Sequence, residues 1–389
     1  MASKPTLAML LDSAPRTWSS AEELHFQLSR ALIARGMRVI LIFSEAPPEE
    51  LASRFRFVGA EVAAINYRNG ALYYFRELGR ILKKHSVTAV HIAFFNYFDL
   101  VPWIVRMHGV RHIVYHERNS GVLRSRGWKK TLIQLRARVI TQPILRVVAI
   151  SGFIRQQLID VGVPGAKVFV VRHGVDTRHF FPDPGARKDW VQQLAIEPDE
   201  VIASSIAHMR PFKHPEVIVQ ACALLAKRGV KVRFLMAGGG EMRREMEELS
   251  RKLGISGRIH WLGSVANPER LLQASDMFVL ASVGEAFGLV LAEAMACGVP
   301  VVGSRSGAIP EIVEDGETGI LTTPLDPASF ADAIGRLAQD EELRRKMGTL
   351  GVDRVHRYFT LDTFVKNMLE VCEPVWRGDR SVSFSGKRL

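Results

Sequence analysis

Twice along the chain, short apolar runs bounded by turn residues alternate with longer segments of helical period. That alternation restricts the fold to parallel sheets covered by helices on both faces. In the first series a buried strand is expected over 6–11 and an amphipathic helix over 21–35, with Leu24, Leu28, Ala31 and Leu32 on one face. Gly36 caps that helix and a second strand runs over 37–43, completing a βαβ unit. Further strands are expected over 89–93, 111–115, 147–150 and 168–171. The second series sets strands at 201–207, 232–237, 259–262, 277–280, 299–303 and 319–322, and helices over 215–228, 241–253, 268–273 and 287–296. The total of 389 residues suits two doubly wound α/β domains of about 150 residues or slightly more. The Pro/Asp/Gly-rich stretch Phe181-Pro182-Asp183-Pro184-Gly185 reads as their linker, which sets domains at 1–184 and 185–358. A last helix is expected over 359–376, and a basic tail over 377–389 that lacks apolar periodicity and is expected to be disordered.

Lys and Arg number 52 against 40 Asp and Glu, a net charge of +12 that points to an anionic partner. Sign alone does not choose among a phosphorylated metabolite, an acidic membrane surface and nucleic acid, but no nucleic-acid recognition module is visible. Cys222, Cys297 and Cys372 stand far apart without CxxC spacing, so neither a zinc cage nor a disulfide framework is supported and a reducing cytoplasm is the expected compartment. The apolar run Leu7–Leu11 ends at Asp12, too short for a signal peptide, and no stretch reaches the ~18 apolar residues of a spanning helix. Any membrane contact is expected to be peripheral.

The most specific segment runs from Gly284 to Val302. A strand ends near Leu280, a small-residue turn carries Glu285 at a carboxyl strand edge, and a helix then begins near Phe287, Gly288 and Leu289. The free N–H groups of a helix start favour an anion, and a carboxylate accepts hydrogen bonds from neighbouring sugar hydroxyls. Glu285 before the helix and Glu293 inside it therefore suit a phosphate with a sugar on either side; otherwise they are solvated carboxylates near a helix end. Arg210 and Lys213 follow another strand end, three residues apart, so both cations can converge on one diphosphate. His116 follows an apolar strand as well, with His91, His108, His112 and Glu117 as alternatives. Gly238-Gly239-Gly240 lacks the GxGxxG spacing of a dinucleotide fingerprint, which disfavours a dehydrogenase. It reads as a tight turn, with backbone approach to a nucleotide as an added role.

Glu285 and Glu293, separated by seven residues and followed by Ala-Met-Ala-Cys-Gly-Val-Pro-Val-Val, resemble the EX7E signature of retaining GT-B glycosyltransferases of the family numbered four. The resemblance extends through Ser204–Pro215, Gly307–Val313 and Asp315–Gly319, and earlier through Ser151–Ile154, Val171–Asp176 and Phe180–Pro182. It implies two Rossmann-like domains facing a cleft, the C-terminal one holding a nucleotide sugar and the N-terminal one the acceptor, with the last helix returning to the N-terminal domain. It assigns the ribose to Glu293, the transferred sugar to Glu285, the donor phosphates to Arg210 and Lys213, and a place near the donor sugar to His116. Gly238 and the backbone at Gly263-Ser264-Val265 would approach the nucleotide and its base. One departure is plain: relatives often carry Gly-Gly in the first strand-to-helix loop, where this chain has Trp18-Ser19-Ser20. A bulky aromatic and two hydroxyls there are acceptor-side candidates.

The implied reaction is transfer of a hexose, most simply from a UDP-sugar, to a glycan, lipid-linked or small-molecule hydroxyl with retention. No carboxylate pair suited to double displacement is evident. No Asp-x-Asp occurs, and no metal or other cofactor is expected. A sugar-nucleotide isomerase on the same fold and a non-catalytic polyanion binder are the rival readings. Residues 118–159 contain no Asp or Glu while Arg124, Arg126, Lys129, Lys130, Arg136 and Arg138 fall among apolar residues. That pattern fits either a helix packed on the sheet or one lying on an anionic leaflet at the inner face of the membrane.

Overall fold

Six consecutive buried residues, Thr6–Leu11 (β1), start the first sheet of the computed structural model, which describes residues 4–66, 69–95, 99–118, 128–197 and 199–379. A strand buried on both faces needs an unbroken apolar run, as this one has. It is followed by Arg38–Phe43 (β2), Glu61–Ala64 (β3), Ala89–Ala93 (β4), His112–Glu117 (β5), Arg146–Ala149 (β6) and Val168–Val170 (β7). All pairs are parallel, in the order β3-β2-β1-β4-β5-β6-β7. The second sheet holds Val201–Ile206 (β8), Val232–Ala237 (β9), Ile259–Gly263 (β10), Met277–Leu280 (β11), Val301–Ser304 (β12) and Gly319–Thr322 (β13). Its order is β10-β9-β8-β11-β12-β13, again parallel throughout. Both orders reverse direction once, between β1 and β4 and between β8 and β11. At such a switch point the loops leave the carboxyl ends in opposite directions and open a crevice for a ligand.

The chain divides into two units at His173/Gly174 and again at Thr360/Leu361, so the first comprises the residues up to His173 and those from Leu361 onward. The stretch 181–185, expected to be the linker, lies instead inside the second unit. Asp183 takes an ion pair from Arg270 at 2.5 Å and the Phe181 carbonyl accepts from Gln273 at 2.9 Å, so its turn residues make a surface corner. The tail from 380 lies outside the described residues.

In the first unit the helix Ser20–Ala34 opens with a capping box, in which Ser19 accepts from its first turn and Glu22 reaches back to the Ser19 N–H. Leu24, Leu28 and Leu32 then fall on one face, spaced four apart, and pack on the sheet. Gly36, at φ +83°, ends the helix in the left-handed region. The helix Leu361–Trp376 covers the same face, burying Phe364, Met368, Cys372 and Trp376 against Met9, Leu41 and Val114. At about 1.5–3 kcal/mol per large apolar side chain, this last helix is part of the first unit's core. A second core, with Phe234, Met277, Val302, Phe330 and Ile334, fills the second unit.

Candidate functional site

The loop after β8 delivers two cations, and its shape is set by the glycines after β9. Gly238 and Gly240 have φ of +117° and +135°; a Cβ on Gly238 would stand 2.0 Å from the Ala207 carbonyl oxygen, and one on Gly240 2.5 Å from that of Met209. The contact is sealed by Met209 N–H donating to the Gly239 carbonyl at 2.7 Å and Gly238 N–H donating to that of Gly263 at 2.6 Å. Gly238 therefore acts as the tight turn that lets one loop lie on another. Arg210 starts the next segment and is exposed, without an ion pair among the described residues. A single turn, Pro211–Lys213, sets Lys213 inward, and His214 at φ +47° turns the chain into the helix Pro215–Lys227.

The loop after β11 meets this one. Val283 N–H donates to the Phe212 carbonyl at 2.9 Å, and Gly284, at φ +75°, donates to Ser306 Oγ at 3.1 Å. The Glu285 carbonyl accepts from Ala308 N–H at 2.9 Å, while a Cβ on Gly307 would lie 2.5 Å from both the N and O of Glu285. Only glycine fits there, and its closeness fixes the Glu285 backbone. The Glu285 carboxylate receives Lys213 Nζ at 2.5 Å, and the two side chains are only 15% and 17% exposed. Two opposite charges so far out of water must hold each other, because either alone carries a desolvation penalty of several kcal/mol. A ligand that offers a phosphate to the lysine and a hydroxyl to the glutamate can take over both halves of the pair.

Gly288, at φ +92°, caps the helix Leu289–Ala296 without any side-chain hydrogen bond, so the first N–H groups of that helix are not spent on a side-chain cap. The helix begins two residues later than the sequence pattern predicts, because Gly288 adopts the left-handed conformation and the chain is helical only beyond it. Glu293 lies on this helix and is buried at 8% exposure. Phe287 is turned into the interior, its ring centroid 6.0 Å from that of Phe359. Leu289 is half-buried. Val265 packs with Leu262 against Ile202, Leu235 and Leu271, so its side chain is structural while its backbone stays at the end of β10. Thus Lys213, Glu285 and Gly288 share the carboxyl edge of the second sheet at β8 and β11, with Arg210 on the same loop as Lys213, whereas the side chains of Phe287 and Val265 are taken up by packing.

In the first unit, His116 is 2% exposed on β5, its ring 5.4 Å from His91 and 6.0 Å from His173, and its Nε2 has no hydrogen-bond partner. Burial holds it well below the ordinary histidine value, helped by His91, Arg118, His173 and His25, so the ring is neutral at pH 7. Trp18 donates Nε1–H to Glu23 at 2.8 Å and packs on Phe26 and Phe55, with ring centroids 5.6 and 5.5 Å away. Ser19 is spent as the helix cap and Ser20 is the first helical residue. His116 and His91 are picked out by the sequence one at a time, but their meeting with His25 and His173 is not, and Arg118 is missed because β5 is expected to end at Tyr115. Period-two alternation carried two residues further would put His116 and Arg118 on one face.

Residues 21–179 match the family described as Glycosyltransferase Family 4, and residues 186–352 the one described as Glycosyl transferases group 1. The chain is 33% identical over 238 residues to the N-acetyl-alpha-D-glucosaminyl L-malate synthase of Bacillus anthracis, which covers 60% of this chain and 61% of that one. It is 36% identical over 218 residues to the D-inositol 3-phosphate glycosyltransferase of Nocardia farcinica, covering 53% of this chain and 48% of that one. The chain thus spans about half to three-fifths of the length of the curated relatives it matches. Among solved structures, Anabaena HepE in complex with UDP shares the fold at a TM-score of 0.79 and 19% identity, over 95% of this chain and 99% of that one. The sucrose-phosphate synthase of Thermosynechococcus elongatus does so at 0.79 and 21%, over 97% and 100%.

Proposed function

Because this chain belongs to the glycosyltransferases of family 4 and group 1, with their GT-B fold of two Rossmann-like units, we propose that it transfers a hexose from a nucleotide sugar to an acceptor hydroxyl with retention. The observation that carries the reading is the Lys213–Glu285 pair at the switch point of the second sheet, beside the Gly288 helix start. In this reading the donor's diphosphate takes Lys213, Arg210 and the first N–H groups of the helix Leu289–Ala296. Glu285 then accepts from hydroxyls of the transferred sugar and Glu293 from the ribose. As the sugar–oxygen bond breaks, charge grows on the departing phosphate, and these preorganised donors stabilise it more than they stabilise the bound ground state.

Double displacement is not part of this reading. The acceptor enters on the face the phosphate leaves, and the departing phosphate oxygen takes its proton. Arg210 and Lys213 supply the positive charge, and no metal is part of this scheme. UDP is the first donor base to test, since HepE was crystallised with UDP and with UDP-glucose. L-malate and D-inositol 3-phosphate, which occur in the relatives' names, are the acceptors to test first, ahead of glycans and lipid-linked sugars.

Nucleotide release from a panel of UDP-, GDP- and ADP-sugars, with and without these acceptors and with chelator present, tests the reading. Release of one nucleotide, stimulated by one acceptor, is expected, with the anomeric configuration of the donor kept in the product. Folded protein that turns over no donor would overturn it.

A second proposal concerns where the enzyme works. On the helix Trp128–Ile140, Leu132, Leu135 and Val139 are 60%, 63% and 51% exposed, at a spacing that lines one face, with Arg136 and Arg138 exposed beside them. No helix among the described residues is long and apolar enough to cross a membrane. Residues 119–127 of the basic stretch, Arg124 and Arg126 included, lie outside the described residues. We propose that this face rests peripherally on the anionic inner leaflet, each cation near the surface adding about 1 kcal/mol. Co-sedimentation with phosphatidylglycerol vesicles is expected, weakened by salt and by L132S/L135S; equal sedimentation with phosphatidylcholine vesicles removes the proposal.

A further inference from the structure

Just past β5, Arg118 sits at the carboxyl edge of the first sheet, beside its switch point. Its Cζ lies 4.4 Å from the centre of the Phe94 ring, and its Nη1 is buried without a hydrogen-bond partner. Among the described residues Arg118 makes no ion pair, and the segments that are not described contain no Asp or Glu at all. Glu22 is the carboxylate whose charge it feels most, yet that side chain is engaged by the Ser19 N–H at 3.1 Å and by the Ser19 hydroxyl. Burial lowers the guanidinium to about 10, which still leaves a full positive charge at neutral pH.

The imidazoles around it do not balance that charge. His25 lies 5.6 Å from Phe94 and spends Nδ1 on the Ala21 carbonyl at 2.7 Å; His91 and His116 carry ring nitrogens without partners. All three are held neutral by burial and by Arg118 itself. Phe94, directly after β4, adopts φ +68°, a left-handed conformation that a bulky residue pays for in strain. Strain of this kind collects at ligand sites, where the surrounding structure holds a side chain in place for contact. A half-buried cation that makes no ion pair among the described residues, with Nη1 buried and an aromatic floor beneath it at a sheet switch point, is built to take an anion.

We propose that Arg118 holds an oxyanion of the acceptor, a carboxylate or a phosphate, with the neutral His116 as second hydrogen-bonding partner. This rests on the transferase reading above and assigns the acceptor class to the first unit. A guanidinium fork matches both oxyanions through two parallel hydrogen bonds, which a lysine cannot reproduce. The donor's phosphates already have Lys213 and Arg210 in the second unit. Arg118 therefore serves as a specificity determinant for acceptors that carry an acid.

The full-length protein with labelled histidines, titrated with inorganic phosphate or malonate against chloride at equal ionic strength, tests this by the imidazole resonances. Saturable shifts confined to the rings near Arg118 are expected, absent in Arg118→Met and about tenfold weaker in affinity in Arg118→Lys. Whichever anion saturates lower names the acid. In turnover, Arg118→Met is expected to raise the KM for an anionic acceptor about 10- to 100-fold, with the KM for the nucleotide sugar and acceptor-independent donor hydrolysis within twofold of wild type. Wild-type rings that do not respond to either anion overturn the proposal without any variant, as does an equal rise in KM for a neutral acceptor. UDP binding, read on the same samples, separates this failure from failure of the transferase reading. Should Arg118→Met not fold, Arg118→Lys and the wild-type titration still decide.

Discussion

Lys213→Ala is expected to lower kcat for nucleotide-sugar turnover by about 10²–10³, the usual effect of removing one preorganised donor from a developing oxyanion. The KM for the donor should rise less, because the interaction strengthens as the bond to the phosphate breaks. The substitution has a second consequence that must be measured apart. Glu285 is only 15% exposed and would lose its cation, which is expected to destabilise the second unit by about 1–3 kcal/mol, below the ~3–5 kcal/mol of a fully buried pair. The double variant Lys213→Ala/Glu285→Gln removes both charges and should recover most of that stability while remaining inactive. Activity and melting temperature therefore part company across the two variants, which a purely structural ion pair would not produce. A Lys213→Ala enzyme that folds and keeps kcat within threefold would sink the assignment.

Lys213 and Glu285 are 72 residues apart, and their meeting was legible only through topology. Once β8 and β11 are recognised as neighbouring strands at the switch point, the loops after them have to converge. Most strands were equally readable, because burial on both faces demands unbroken apolar runs. Glu61–Ala64 was not: it is a short edge strand, half exposed and headed by an acid, so its sequence carries little period. The unit boundary was misplaced because turn residues mark corners as well as linkers. At His173/Gly174 the chain passes between units without any Pro/Gly cluster, while 181–185 spends its Pro and Asp on a corner held by Arg270. Least legible was the cluster of His25, His91, His116 and His173. Its members come from a helix, two strands and the segment after β7; His116 and His91 stand out singly, on β5 and β4, but nothing in the sequence brings them together with His25 and His173.

That cluster makes the first unit sensitive to acid. His25, His91, His116 and His173 are at most 5% exposed, and burial is the largest cause of the lowered value in every case, with His91 brought down to about 3. In the unfolded chain each titrates near its ordinary ~6.5. The sign follows directly: above pH 6.5 both states are neutral there and the histidines cost nothing. As pH falls from 6.5 towards about 3 the unfolded state takes up protons that the folded state refuses, so stability is lost through that window. Each site contributes about 1.4 kcal/mol per pH unit once well inside it, so the four together contribute up to about 5.6 kcal/mol per unit. Against a typical ~5–15 kcal/mol of stability, the first unit is expected to lose stability steeply once the pH falls below about 6.

Burial pushes Asp176 and Asp315 up, but hydrogen bonds with Arg178, and with the Leu321 N–H and Arg305, outweigh it and hold them below the ordinary carboxylate value; both belong to the second unit, where His260 is held low by burial. Two transitions that separate as pH falls should therefore appear in calorimetry, the first unit's moving faster. His91 also tells apart a costly residue from a useful one, since it stands in the apolar face with both ring nitrogens unpaired. His91→Phe is expected to remove about one proton from the unfolding reaction at pH 5 and flatten the first transition. If urea unfolding at pH 7 and pH 5 shows the same stability for the first unit, these imidazoles are already paired or protonated in solution. Their neutrality around Arg118 would then have to be abandoned with them.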